Sequence, residues 1–100
     1  MKGLGNWQKI IKSATEMQEK LEKEMAELRL EGSSGGGMVT VTLDGRKNLL
    51  SIRLDPEVIN RDDLEMLQDL IVAAFADAAG KVDRHLSERL GGALKIPGLG

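Results

Sequence analysis

From Trp7 to Leu28 the apolar residues fall at Trp7, Ile10, Ile11, Ala14, Met17, Leu21, Met25 and Leu28. Steps of three and four place them on one stripe, and the spacing predicts a helix over 7–28. Glu16 with Lys20 and Glu19 with Lys23, acid before base and four apart, suit an exposed face of that helix. Its length, roughly 33 Å at 1.5 Å per residue, means that it projects beyond a small core or packs along a second long helix.

After Leu28 the period changes to two. Leu28, Leu30 and Gly32 predict a short strand running into Gly32-Ser33-Ser34-Gly35-Gly36-Gly37, whose composition reads as a flexible loop. Val39, Val41 and Leu43 alternate with Thr40 and Thr42, and Leu50, Ile52 and Leu54 with Ser51 and Arg53, the pattern of two half-buried strands. Asp44-Gly45 between them has hairpin-turn chemistry, since glycine tolerates positive φ. Residues 29–54 are therefore expected to form a three-stranded antiparallel meander. Asp55-Pro56 suits the cap and first position of a short helical turn through Val58 and Ile59. Asp62 with Glu65 three residues on resembles a capping box.

A second long helix is expected over 62–90. Leu64, Leu67, Leu70, Ile71, Ala74, Phe75, Ala78, Val82, Leu86 and Leu90 keep the helical period until Gly91-Gly92, which is expected to stop it. The alanines between Ala73 and Ala79 make its middle thin, so that a neighbouring backbone can come close. Residues 91–100 read as a flexible tail. The predicted class is α+β: one domain over 1–100, with a long N-terminal helix, the meander and a long C-terminal helix. Three strands of about 20 Å cannot bury both helical stripes along their full length, and a two-fold homodimer is the commonest remedy.

Composition sharpens this picture. The only aromatic residues are Trp7 and Phe75, so the core must be aliphatic. Methionines Met17, Met25 and Met66 at helical spacing read as its filler, and Trp7 as the seal of a helix end rather than a wedge between bases. There is no cysteine, which excludes disulfides and thiolate chemistry and fits a reducing cytoplasm. No apolar run reaches the roughly 18–20 residues of a membrane span, and no signal-peptide pattern opens the chain, so a cytoplasmic protein is expected, with no membrane partner.

The formal net charge of −2 and pI near 5.4 weigh against a general nucleic-acid binder, whose domains are usually basic. Local clusters differ. Lys2, Lys9 and Lys12 all precede the first acid, Glu16, and a second group comprises Lys81, Arg84, Arg89 and Lys95, diluted by Asp83 and Glu88. Both groups are candidate phosphate contacts; a solvated helix face, or complementation of a helix dipole, would account for the same residues. Arg46 and Lys47 are explained by the hairpin tip. A phosphate loop needs a helix after it and a Lys-Ser/Thr pair, whereas the glycine run is followed by a strand. His85 stands alone, so neither a metal nor another cofactor is expected. Capping and solvation account for Asp62 and Asp63 and for Asp77 and Asp83, and no nucleophile accompanies them. Neither catalysis nor a small-molecule substrate is expected.

Several stretches together resemble the YbaB/EbfC family. These are Gly3-Leu4-Gly5-Asn6, Met17-Gln18-Glu19-Lys20, Gly32-Ser33-Ser34-Gly35-Gly36, and Val39-Thr40-Val41-Thr42 with Asp44-Gly45. Glu65-Met66-Leu67-Gln68-Asp69-Leu70-Ile71-Val72-Ala73-Ala74-Phe75-Ala76-Asp77-Ala78-Ala79 and Ile96-Pro97-Gly98 complete the match, in order and over nearly the whole chain. The resemblance implies a tweezers-shaped homodimer: sheets form its body and the terminal helices its arms, which embrace double-stranded DNA in the bacterial nucleoid. The expected function is a nucleoid-associated protein with little sequence preference. The alternative is a non-enzymatic adaptor whose amphipathic helices clasp another protein, a reading that the acidic pI favours.

Overall fold

The computed structural model describes the backbone of residues 2–93 and the surroundings of residues 5–91. The order is α1 (Lys2–Glu27), β1 (Leu30–Ser34), β2 (Val39–Leu43), β3 (Leu49–Leu54) and α2 (Leu64–Ala93), with single 3-10 turns at Gly35–Gly37 and Pro56–Val58. The strands form one antiparallel meander in the order β1-β2-β3, as the alternation predicts.

Helix α1 begins at Lys2 rather than Trp7. Gly3 and Gly5 cost about 1 kcal/mol each in a helix interior, which propagation of an established helix absorbs near its end. Its other end is capped from three sides. The Arg29 guanidinium donates to the carbonyls of Ala26 and Leu28 at 2.9 Å, and the Gly45 N–H donates to the Met25 carbonyl at 2.8 Å. Orphan carbonyls of the last turn are thereby satisfied.

Helix α2 lies over β1 and β2 rather than β3. Val39, Val41 and Leu43 of β2 meet Ala74, Ala78 and Val82 of α2, with Val58 at one end, in a fully buried cluster. Leu30, Met38, Leu67, Leu70, Ile71 and Ala79 pack around it. Both aromatic side chains lie outside this core, Trp7 being 60% and Phe75 36% exposed.

The glycine run is not one flexible loop. Gly32, Ser33 and Ser34 belong to β1, opposite Val41, Thr40 and Val39. Gly32 sits where α2 presses on the sheet: a Cβ there would lie 2.3 Å from the Ala78 nitrogen and 2.4 Å from the Ala74 carbonyl oxygen. The Ser33 N–H donates to the Asp77 carboxylate at 3.0 Å, and the Ser34 hydroxyl donates to the Leu70 carbonyl. Only Gly35–Gly37 make the turn, with φ of 60°, 68° and 91°, a left-handed path that glycine alone takes without strain.

The second hairpin also departs from expectation. Its loop spans 44–48, and the residue with positive φ is Lys47, at 66°, rather than Gly45. Gly45 is small because α1 abuts it: a Cβ would come within 2.7 Å of the Met25 carbonyl oxygen. The buried Asp44 carboxylate organises the loop, accepting from the N–H groups of Arg46 and Asn48 at 2.8 and 2.9 Å and from the Asn48 side-chain amide at 3.0 Å. The Asn48 bonds, backbone first, hold the Asp44 pKa below the ordinary carboxylate value against its partial desolvation.

Two further corrections concern α2. Its cap is Asp63, whose carboxylate accepts from the Met66 N–H at 3.0 Å, so Glu65 falls one position short of a capping box with Asp62. The helix also runs through Gly91 and Gly92 to Ala93, because glycine lowers helix stability without removing the N–H. The remainder of the expected tail, 94–100, lies outside the described residues.

Candidate nucleic-acid interface

α1 has 26 residues, a rod of about 39 Å, and only its C-terminal third is held by the body. Leu21, Glu24, Met25 and Leu28 are half-buried, whereas every described α1 residue from Gly5 to Lys20 is exposed. The radius of gyration is 20.1 Å and the extents are 74 × 31 × 16 Å; a compact chain of this size has a radius near 13 Å. The projecting half of α1 is an arm.

At the arm's root, Met17, Gln18, Lys20 and Leu21 face Arg89 and Leu90 of α2 across an open groove of about 500 Å³. Arg89 forms an ion pair with Glu24, and the Glu24 Oε2 is sealed from solvent with no hydrogen bond to satisfy it, so the charge contact is its compensation. This junction sets the arm beside the C-terminal end of α2, where Arg89 of the second predicted basic group meets the arm's root.

Within them the residues differ. Lys9 and Lys12 are exposed and, among the described residues, join no ion pair. They stand on the side of α1 away from Trp7, Ile10 and Met17. Arg84 is likewise exposed and outside any ion pair. Lys81 is tied to the sheet, donating to the Glu31 carbonyl at 2.8 Å and lying 3.5 Å from Asp77. Asp77 is held below its ordinary pKa, chiefly by the Ser33 N–H and then by the Lys81 charge. Arg89 is engaged with Glu24. Lys2 opens α1, and Lys95 lies outside the described residues.

Sequence reasoning missed Lys20 and Lys23. Their expected pairs with Glu16 and Glu19 do not close to ion-pair distance, so both add charge to the same broad face as Lys9 and Lys12. The signal lay in the helical spacing of the lysines themselves. Lys47 of the hairpin loop is spent on Asp83, at 2.7 Å.

Net charge conceals segregation along α2. From Asp62 to Asp77 every charged residue is acidic, and basic residues enter only from Lys81 onward. Acids near the start of α2 complement the positive end of its dipole. Among the described residues no three of His, Asp and Glu are placed to hold a metal ion, His85 being exposed and alone. No helix is long and apolar enough to cross a membrane among the residues described.

A second surface stands out. The register pairs Leu54 with Val39 and Ile52 with Val41, so Ile52 and Leu54 share the face that α2 covers over β1 and β2. Among the described residues nothing covers it over β3: Leu50, Ile52 and Leu54 are 45%, 42% and 37% exposed, where the alternation predicted a half-buried strand. The β1 flank of α2 is marked by Asp77 and Lys81, which bond to β1. Phe75 and Val72, the latter 68% exposed, stand on the other flank and wall an apolar shelf whose floor is β3.

An aliphatic α-β-β-β-α body that spends its surface on a projecting basic arm and an open shelf defines a presenting and binding protein. The chain belongs to the YbaB/EbfC DNA-binding family, whose model matches residues 2–96. It is 47% identical over 92 residues to a nucleoid-associated protein of Xylella fastidiosa, covering 89% of this chain and 84% of that one. A nucleoid-associated protein of Koribacter versatilis is 42% identical over 94 residues, covering 94% and 93%. An uncharacterized protein of Helicobacter pylori shares the fold, with a TM-score of 0.73 at 22% identity over 88% of this chain and 92% of that one.

Proposed function

We propose that the protein is a nucleoid-associated homodimer that grips duplex DNA between basic helical arms. The observation that carries this reading is the pair Lys9 and Lys12, exposed and unpaired on a helix that leaves the body. Each phosphate that they neutralise releases condensed counterions, a sequence-blind contribution to affinity. Lys20, Lys23 and Arg84 extend the contact, and Lys2 and Lys95 belong to the same two groups. Lys81 and Arg89 contribute less, since each must share its charge with an acid of its own chain. Few side chains suited to bidentate base contacts stand on this face, so sequence preference is modest.

The homodimer reading rests on the shelf. An edge strand with free N–H and C=O groups and an apolar face invites a second copy. Two β3 strands run antiparallel about a two-fold axis would join the sheets and lay each α2 beside the other over Ile52 and Leu54. Such a dimer carries two arms, and a cleft between them is the place for the duplex. The nucleoid-associated names of the relatives support a location on the chromosome.

The exposed Trp7, Ile10 and Met17 and the acidic pI favour a second reading, an adaptor for another protein. A salt-titrated binding assay separates the two. DNA binding through several phosphates weakens at least about tenfold between roughly 50 and 200 mM salt, and Lys9→Glu with Lys12→Glu flattens that dependence. Binding absent at low salt, or indifferent to both changes, supports the adaptor.

A further inference from the structure

The apolar stripe of α1 repeats as a heptad. Trp7, Ala14, Leu21 and Leu28 occupy one set of equivalent positions, seven apart, and Ile10, Met17 and Glu24 the set three residues further on, the a and d positions of a coiled-coil seam. The C-terminal part is in use: Leu21, Met25 and Leu28 are half-buried and Glu24 is paired with Arg89. Toward the N-terminus the same seam continues uncovered, with Trp7 60%, Ile10 59%, Ile11 49% and Met17 72% exposed.

We propose that this free half of α1 pairs, antiparallel, with the same half of α1 from another copy, making a second self-association surface remote from the β3 shelf. Shape supports an identical arm as the occupant. When two copies run antiparallel, an a position of one meets a d position of the other. The register that centres the exposed half sets Trp7 against Met17 and Ile10 against Ala14, and then the reverse. Each layer thus joins a large residue to a smaller or more pliant one, and sulfur meets the aromatic ring, a favourable contact.

Charge supports it as well. The residues flanking the exposed seam are Asn6, Ile11, Ser13, Gln18 and, beside Met17, Lys20, while Lys9, Lys12 and Glu16 occupy outer positions. Coiled coils select unlike partners through charged flanks; the one charge flanking this seam, Lys20, falls in this register beside Asn6 of the other copy, so two identical arms meet without like charges opposed. The lysines remain outward and accessible when the arms are paired. The seam is only about three helical turns long, so the association is weak, of the transient class of small interfaces.

Sedimentation of the full chain from about 1 µM to about 1 mM, the span in which weak interfaces titrate, tests this directly. Emission from Trp7, the sole tryptophan, is followed in parallel. Wild type gains a concentration-dependent doubling of mass together with a shift of Trp7 emission to shorter wavelength. Ile10→Glu and Met17→Glu, at exposed positions outside the core, keep the helical circular dichroism and lose both. Ile52→Glu, on the β3 shelf, keeps both, so that loss of the body dimer and loss of arm pairing read differently. Trp7 emission unchanged across the range, or equal masses for wild type and Ile10→Glu, overturns the proposal; the latter is also the outcome if residues 94–100 of the same chain fill the seam.

Discussion

Two glycines of this chain stand in opposite surroundings, and substitution separates them. An added methyl at Gly32 meets the backbone of Ala74 and Ala78 below 2.5 Å, and backbone cannot swing aside as a side chain would. Gly32→Ala is expected to destabilise the fold by about 2 kcal/mol or more, as overpacking at a rigid contact does. Gly80 lies inside α2 with nothing within 4 Å of a built Cβ, and Gly80→Ala is expected to stabilise by about 0.5–1 kcal/mol. Chemical denaturation of the two variants checks the opposite signs. Acid titrates the other tight residue contacts. Asp44 and Asp77 have pKa values lowered in the folded state from the ordinary 3.8. Their contribution to stability is fully present above that value and is lost as pH falls through the lowered folded-state values. Unfolding midpoints measured from pH 6 downward should fall more steeply for wild type below about pH 4 than for Asp44→Asn combined with Asp77→Asn; parallel curves would contradict this.

At the scale of elements, the legible part of the fold was what one chain buries within itself. The alternation of Val39, Val41 and Leu43 marked β2, and the stripe from Leu67 to Val82 marked α2, because in both the apolar face finds its partner in the same copy. β3 carries an equally clean alternation, yet Ile52 and Leu54 stay open, since a pattern records that a face is apolar and not which chain covers it. Gly32 read as loop because composition cannot distinguish a glycine needed for close approach from one needed for freedom. The start of α2 slipped by two residues because adjacent Asp62 and Asp63 offer the same cap chemistry and Asp63 takes it. The lysine groups were legible as charge, but only the structure separates Lys9 and Lys12 from Lys81 and Arg89, whose partners lie 50 and 65 positions away in Glu31 and Glu24. That separation carries a prediction for the arm. Arg89→Ala breaks a half-exposed ion pair and is expected to cost up to about 1 kcal/mol in thermal or chemical unfolding. Lys12→Ala, with no ion pair to break, should stay within about 0.5 kcal/mol of wild type.

For the whole molecule, the account turns on surface that a single copy leaves open. The elongation, the bare shelf and the projecting arm are three consequences of a core confined to β1, β2, the Val58 turn and the middle of α2. Placing a charge on the shelf should therefore change assembly more than folding: if the shelf joins two copies, Ile52→Glu is expected to give a folded monomer by light scattering at micromolar concentration, with circular dichroism retained. A wild type that is already monomeric there would remove the shelf from the argument. The central claim, that the arms hold DNA by its phosphates, meets its most direct test in the slope of log affinity against log salt. If Lys9 and Lys12 of both protomers each touch a phosphate, replacing both by Gln should reduce the magnitude of that slope by about 3.6, at 0.9 per phosphate contact. A slope identical to that of wild type would place the DNA elsewhere and contradict the account.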